Sequence, residues 1–324
     1  MISSRLSDMT KHVGLTVVVC LGFGLAPLGM TYAQESPSPS PQPAATPTTA
    51  VATPTALADD AAKPVADADA IKKTAVTADS TDPRAIMLAV EERTRAATTK
   101  SRLAIKITDG AGRTRDRTLQ SWSMEFGQGT RQLMMFESPA DVRNTGMLSI
   151  DYKDGTRDDD QWLYLPSLSK TTRIASGDKS GSFMGTDLSY ADMTRADPSQ
   201  YDYTMKKQSV TVGGDDCWLI EARPTTQRAK DETGYVKSRI WSSKAKMLPV
   251  QVKAWIREGK KLKYIKFSDI KLVGGEWFPH KVTARTKKGR KTESTTVLQF
   301  FDVVADSAEV NEALFTQRRL EKGL

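Results

Sequence analysis

Apolar and polar residues alternate along most of the chain beyond residue 100. Leu103, Ile105 and Ile107 are separated by Ala104 and Lys106. A period of two puts successive side chains on opposite faces of a strand. Thr118 to Met124, Gln132 to Phe136, Met147 to Tyr152 and Trp162 to Leu165 predict further strands, the last ended by Pro166. Hairpins follow. Val210–Val212 and Cys217–Ala222 flank Gly213-Gly214-Asp215-Asp216, and Val250, Val252, Ala254 and Ile256 lead through Glu258-Gly259-Lys260-Lys261 into Leu262–Phe267. Ile270–Val273 turns through Gly274-Gly275-Glu276 into Trp277–Ala284, and Lys287-Lys288-Gly289-Arg290 leads into Thr295–Asp302. Short strands so regularly separated by turn residues predict a mainly β, antiparallel architecture.

Two helices frame the strands. Asp82-Pro83 supplies an N-cap and a first-turn proline, with Ile86, Ala89, Val90 and Arg93 at helical spacing. A last helix is expected from Asp306, with Glu309 completing a capping box and Leu314, Phe315 and Leu320 on its apolar side. Most strands carry apolar residues on one face and Lys, Arg, Thr or Ser on the other, as in a sheet with one wet face. Leu133–Phe136 and Trp162–Leu165 are apolar on both faces. Such strands either pack under a helix on one side and line a cavity on the other, or are simply central.

The pattern also divides the chain. Residues 1–33 read as an export signal: Arg5 and Lys11, an apolar run from Val13 to Met30, then Thr31-Tyr32-Ala33 at a cleavage site. An uncleaved inner-membrane anchor is the alternative. Residues 34–82 form a Pro/Ala/Thr-rich linker, with Pro37, Pro39, Pro41, Pro43, Pro47 and Pro54 and almost nothing to bury. Residues 83–324 make one domain of sufficient length for a sizeable core.

Composition then narrows the chemistry. The formal net charge is +8, and its excess sits in residues 83–324, because the linker is acidic. Such a surface favours anionic partners, an anionic membrane surface among them, and export argues against nucleic acid. Of the two cysteines only Cys217 follows the signal, where it reads as a small core residue; no intrachain disulfide is available to the exported form. His280 is the one histidine of that form, in a strand pattern, so neither a histidine zinc site nor a Gly-x-Ser-x-Gly hydrolase triad is built from these residues. Gly177-Asp178-Lys179-Ser180-Gly181 lacks the spacing of a phosphate-binding loop, and Asp158-Asp159-Asp160 lacks that of an EF-hand and reads as a solvated turn. No metal, no cofactor and no catalytic group is expected, and the chain is read as a binding protein.

One stretch is more specific. Asp160-Gln161-Trp162-Leu163-Tyr164-Leu165-Pro166 is followed by Lys170-Thr171-Thr172-Arg173-Ile174, and then by Ser182-Phe183-Met184-Gly185-Thr186-Asp187-Leu188-Ser189-Tyr190-Ala191-Asp192-Met193. A loop seldom spends Phe-Met on solvent, so the pair should dock into something. This stretch resembles the LolA-like family of outer-membrane lipoprotein-sorting proteins, in the branch found beside inner-membrane exporters of the RND/MMPL type. The resemblance extends from Ile86 to Lys322. It implies a half-closed antiparallel β barrel, with a few covering helices over an apolar cavity. It further implies a periplasmic carrier or acceptor of lipid or lipoprotein acyl chains, in outer-membrane trafficking with an RND/MMPL-type transporter as partner. Met135, Leu148, Ile150, Trp162, Tyr164, Phe183 and Met184 are the expected cavity or mouth residues. A lipid-binding envelope-stress sensor of the RseB type and a non-binding envelope scaffold are the alternatives. The long Pro-rich arm and the lack of an obvious counterpart to the cavity arginine of classical members are departures.

Overall fold

The computed structural model describes residues 76–93, 96–154 and 157–324. The expected signal, and the linker up to residue 75, lie outside the described residues. Val76 packs beside Ile86 and Trp218, and the Gln208 side-chain amide donates to the Asp79 carbonyl at 3.1 Å, so residues 76–82 lie on the body.

Helix α1 (Pro83–Glu92) starts as its cap predicts: the Asp82 carboxylate accepts from the Arg84 amide at 2.9 Å. Its Ile86, Met87 and Val90 are buried against Trp218 and Ile220. Six strands follow: β1 (Thr98–Asp109), β2 (Thr114–Phe126), β3 (Gly129–Ser138), β4 (Gly146–Tyr152), β5 (Asp160–Leu165) and β6 (Lys170–Arg173). A long connection leads to β7 (Tyr201–Val212) and β8 (Asp215–Pro224), then α2 (Gln227–Thr233), β9 (Tyr235–Ser243), β10 (Leu248–Ile256), β11 (Lys261–Val273), β12 (Glu276–Lys288) and β13 (Lys291–Ala305). Helix α3 (Gln317–Lys322) closes the chain.

All thirteen strands form one antiparallel sheet in the order β6-β5-β4-β3-β2-β1-β13-β12-β11-β10-β9-β8-β7. Two meanders are therefore joined where β1 pairs with β13. The double-glycine turns fit this topology. Gly213 and Gly214 (φ 62° and 94°) and Gly274 and Gly275 (φ 60° and 88°) adopt left-handed angles that suit tight hairpins and cost other residues strain.

The sheet is open at β6 and β7, yet strongly curled. Arg228 on α2, between β8 and β9, lies 3.0 Å from Asp158 in the connection between β4 and β5. In a flat sheet β5 and β8 would lie about 48 Å apart at about 4.8 Å per strand. Only curvature brings them together, and it gives the sheet an inner and an outer face. α1 packs on the inner face at one end. The C-terminal residues Val310, Phe315 and Leu320 pack on the outer face of β2–β5.

Three expectations change. The last helix does not start at Asp306, which adopts φ 52° and accepts from the Ala97 amide at 3.1 Å. Glu309 pairs with Lys100 instead of closing a capping box. A 3-10 turn carries Leu314, and α3 is capped by Thr316, whose hydroxyl accepts from Arg319 at 3.1 Å. Helix α2 and strand β9 lie in a stretch where the alternation is weak. Asp158-Asp159-Asp160 is no solvated turn either: Asp158 pairs with Arg228, Asp160 with Arg173 at 2.6 Å, and Asp159 lies 3.9 Å from Lys179. Each carboxylate ties the β4–β5 connection to a different element.

Candidate functional site

Strands β6 and β7 are opposite edges of the sheet, so residues 174–200 must travel from one edge to the other. They cross the inner face. Phe183 is 1% exposed and packs among Leu119, Phe136 and Met147 from one meander and Ile265, Val282 and Leu298 from the other. Its ring lies 6.1 Å from that of Phe136 and edge-on to Tyr190 at 5.9 Å. Burying a side chain of this size contributes about 1.5–3 kcal/mol. Met184 is partly buried beside it, in the left-handed region at φ 51°. Its carbonyl accepts from the Arg117 guanidinium, which also lies 5.8 Å above the Phe136 ring. Arg117 carries no sequence signal, because its role depends on a segment 67 residues away.

Polar contacts hold the rest of this cover. Asp187, 1% exposed, accepts from the hydroxyls of Thr286, Ser294 and Thr296 on β12 and β13. Asp192 accepts from the Tyr235 hydroxyl at 2.7 and 2.8 Å and lies 3.6 Å from the Lys263 ammonium. Burial raises the Asp192 carboxyl to about 8 and lowers the Lys263 ammonium to about 8, against their mutual attraction. Lys179, also 1% exposed, lies 3.1 Å from Glu232 on α2. The Gly177–Gly181 string thus serves an ion pair. A buried charge persists only when paired in this way.

The structure does not bring the seven expected cavity residues together. Phe183 and Met184 belong to the inner-face core. Met135, Leu148, Trp162 and Tyr164 belong to the outer-face cluster, under Val310, Phe315 and Leu320. Ile150, half-buried, follows Leu148 on the same side. Alternation is the physical reason: Met134, Phe136 and Met147 face inward, so their neighbours Met135 and Leu148 face outward. The outer covering is close. A Cβ on Gly146 would lie 2.4 Å from the Met135 sulfur and 2.6 Å from Leu320.

A cavity of about 40 Å³ on the inner face is lined by Thr99, Ser101, Ser121, Ser123, Gln132 and Met193 among others. Small-molecule sites occupy roughly 300–1,000 Å³, so this cavity by itself does not hold an acyl chain. Cys217 is fully buried beside Leu248 and Val250, and burial pushes its thiol up to about 11. His280 lies in β12, its ring edge-on to Phe278 at 5.2 Å.

Another surface stands out on the outer side of β9–β11. The Trp255 ring has the Lys253 ammonium at 4.6 Å, that of Lys237 at 4.7 Å and the Arg239 guanidinium at 5.5 Å. Lys266, Lys281 and Arg285 are exposed on neighbouring strands. Glu221 answers Lys237, Arg239 and Arg223, at 3.0, 3.1 and 2.8 Å.

A single open, curled antiparallel sheet with three helices and a cover across its inner face is a fold of the LolA-like, lipoprotein-sorting class. It is similar to a structure from Vibrio parahaemolyticus described as an outer-membrane lipoprotein-sorting protein domain, at 27% identity and TM-score 0.66, over 74% of this chain and 98% of the other. A DUF1329 family protein from Desulfovibrio piger is similar at 28% identity and TM-score 0.66, over 74% of this chain and all of the other. A LolA superfamily protein from Nitrosomonas europaea shares the fold at 17% identity and TM-score 0.54, over 73% and 98% of the two chains. No functionally curated protein matches the chain. A family model described as "uncharacterized protein" matches residues 128–322, more than half of the chain, and the chain belongs to that DUF1329-like family.

Proposed function

We propose that this protein is a periplasmic carrier or acceptor that binds the acyl chains of lipid or lipoprotein on the inner face of its sheet. It acts by binding, not catalysis. The observation that carries this reading is the construction of the cover. Residues 174–200 lie over apolar strands of both meanders, bury Phe183, Leu188 and Met193 there with Met184 and Tyr190 packed beside them, and are held as well by polar contacts. An acyl chain entering in place of Phe183 conserves the buried apolar area, so the exchange costs little hydrophobic free energy. The cover is tied to the edge strands β6 and β7 at its ends, so it can lift without breaking a ladder between central strands.

On this reading the signal is cleaved, the Pro/Ala/Thr-rich linker of residues 34–82 becomes the N-terminal part of the exported form, and cargo passes between the chain and an inner-membrane RND/MMPL-type exporter on its way to the outer membrane. The basic, Trp-centred outer face supports docking on an anionic membrane surface during that exchange. Native mass spectrometry of the exported form, with identification of bound lipid, tests the proposal. A co-purifying acyl lipid, or saturable binding of a fluorescent fatty acid, is expected. An exported form that carries no lipid and binds no acyl probe would overturn it. That outcome would favour a filled envelope scaffold.

A further inference from the structure

The inner face is not apolar throughout. Strand register aligns Thr99 with Ser123, Ser123 with Gln132, Gln132 with Ser149, and Ser149 with Gln161. Five polar side chains thus form one straight row across β1–β5, on the face that elsewhere carries the core. Beside it runs a parallel row of Glu125, Thr130 and Asp151. On the other side Ser101 and Ser121 lead to Met134 and Met147, and then come Leu103, Leu119 and Phe136. The face therefore passes from apolar to polar within three rows.

Polar residues at core positions cost free energy unless partnered. This row and the one beside it are only partly partnered. Ser149, Asp151 and Gln161 are 1%, 3% and 0% exposed, yet Ser149 Oγ, Asp151 Oδ1 and Gln161 Oε1 have no hydrogen-bond partner among the described residues. The opposite end of the row, Thr99, Ser123 and Gln132, lines the inner cavity. Met193 of the cover closes that cavity, and Tyr190 of the cover accepts from the Gln161 side-chain amide through its carbonyl at 2.9 Å. Lifting the cover therefore uncovers the apolar rows and the polar row together.

The chemistry of the row selects its occupant. Of the unpartnered atoms, the Gln161 amide oxygen is an acceptor that calls for an O–H or N–H donor, and the Ser149 hydroxyl can accept or donate. Glu125 flanks the row, and burial, with Asp159 nearby, raises the Asp151 carboxyl well above the usual carboxylate range. The nearby cations are engaged: Arg195 lies 2.8 Å from Glu91 and 4.0 Å from Glu125, and Lys179 lies 3.1 Å from Glu232. An anionic head would lie beside the Glu125 carboxylate and find these cations already paired. No cluster of His, Cys, Asp or Glu among the described residues is arranged to hold a metal ion that could reverse this field.

We propose that the row Thr99–Ser123–Gln132–Ser149–Gln161 seats the uncharged, hydroxyl- or amide-bearing polar part of an acylated ligand whose chains lie on the adjoining apolar rows. The inference rests on the carrier reading and adds to it the orientation and head chemistry of the cargo. It also accounts for a core face that spends five positions on polar residues.

The test titrates the full chain with three amphiphiles of equal chain length, below their micelle concentrations: decyl maltoside, decyl phosphate and decanoate. Decyl maltoside should bind at least about tenfold more tightly than either anion, since each unmade buried hydrogen bond counts against them. Ser149→Ala and Thr99→Val each remove one hydroxyl at nearly constant volume, so folding should survive, as melting curves will show. Both should narrow the preference to within about threefold while leaving the affinity for decyl phosphate unchanged. Equal binding of all three probes, or tighter binding of an anion, would overturn the head-group assignment and leave the carrier reading standing. Binding of none would overturn both. A preference for maltoside that both variants retain in full would overturn the assignment to this row.

Discussion

Asp187 and Thr296 hold each other twice: the Asp187 amide donates to the Thr296 hydroxyl oxygen at 2.8 Å, and that hydroxyl donates back to the Asp187 carboxylate at 2.8 Å. The two residues are 109 positions apart. This reciprocal pair, with Thr286 and Ser294 on the same carboxylate, pins the crossing segment to β12 and β13. Polar clamps of this kind are directional and can be remade after release. They suit a cover that opens, whereas Phe183, Leu188 and Met193 supply the apolar burial that keeps it shut.

Thr296→Val preserves shape but removes both halves of the reciprocal pair. Leaving a buried carboxylate and amide short of partners should cost about 1–3 kcal/mol. The expected outcome is a lower melting temperature, with faster hydrogen exchange concentrated in residues 183–193. Unchanged exchange there would show that the clamp does not hold the cover.

Phe183 and Met184, equivalent in the sequence reading, should behave differently. Phe183→Ala opens a hole among Leu119, Phe136 and Val282 and should cost about 3–5 kcal/mol. Met184→Ala should cost about 1 kcal/mol or less, because the side chain is only partly buried. On the carrier reading, either change alters the affinity for a fluorescent fatty acid. Denaturant melts and the titration, run on the same samples, read both effects.

Glu221 links acid stability to the basic face. Burial alone would raise its carboxyl, but hydrogen bonds from Lys237, Arg239 and Arg223 outweigh it and hold it at about 2, below the usual 4.5. A depressed carboxyl stabilises the fold above its unfolded value, and that contribution is lost as the pH falls from about 4.5 towards 2. Glu221→Gln should therefore show a smaller drop in melting temperature than the wild type between pH 5 and pH 2.5. The same variant leaves Lys237 and Arg239 without their counter-charge, so it should bind anionic vesicles more tightly at low salt. Lys253→Glu should bind them less. Vesicle co-sedimentation at two salt concentrations checks both.

Deleting residues 34–74 should leave the melting temperature within a few degrees of the full chain, since that stretch has no periodic apolar residues to contribute to a core. Extending the deletion through Asp82 removes the Val76 packing, the Asp79 contact and the α1 cap, and should lower it further. A large loss from the shorter deletion alone would mean that the arm packs on the domain.

Local signals carried much of the secondary structure. The double-glycine hairpins, the Asp82-Pro83 start and the strand cores match the chain's own periodicity. Its C-terminal helix was misplaced because Asp306 and Glu309 resemble a capping box, yet their side chains are taken by Ala97 and Lys100, more than two hundred residues away. Phe183 was recognisable as a docking residue. What it docks against was not, since its neighbours come from both meanders.

The sequence by itself determined the strands, their two-faced character and the anomalous Phe-Met loop, because all three follow from side-chain alternation and turn chemistry within a few residues. Only the tertiary structure decided which face each apolar residue serves. It sent Met135, Leu148, Trp162 and Tyr164 beneath the C-terminal segment and Phe183 beneath a crossing cover. It also decided that Thr99, Ser123, Gln132, Ser149 and Gln161, irregularly spaced along the chain, stand in one row. Register and curvature are sums over many pairings and over what covers each face. No local stretch encodes them, and the candidate site depends on both.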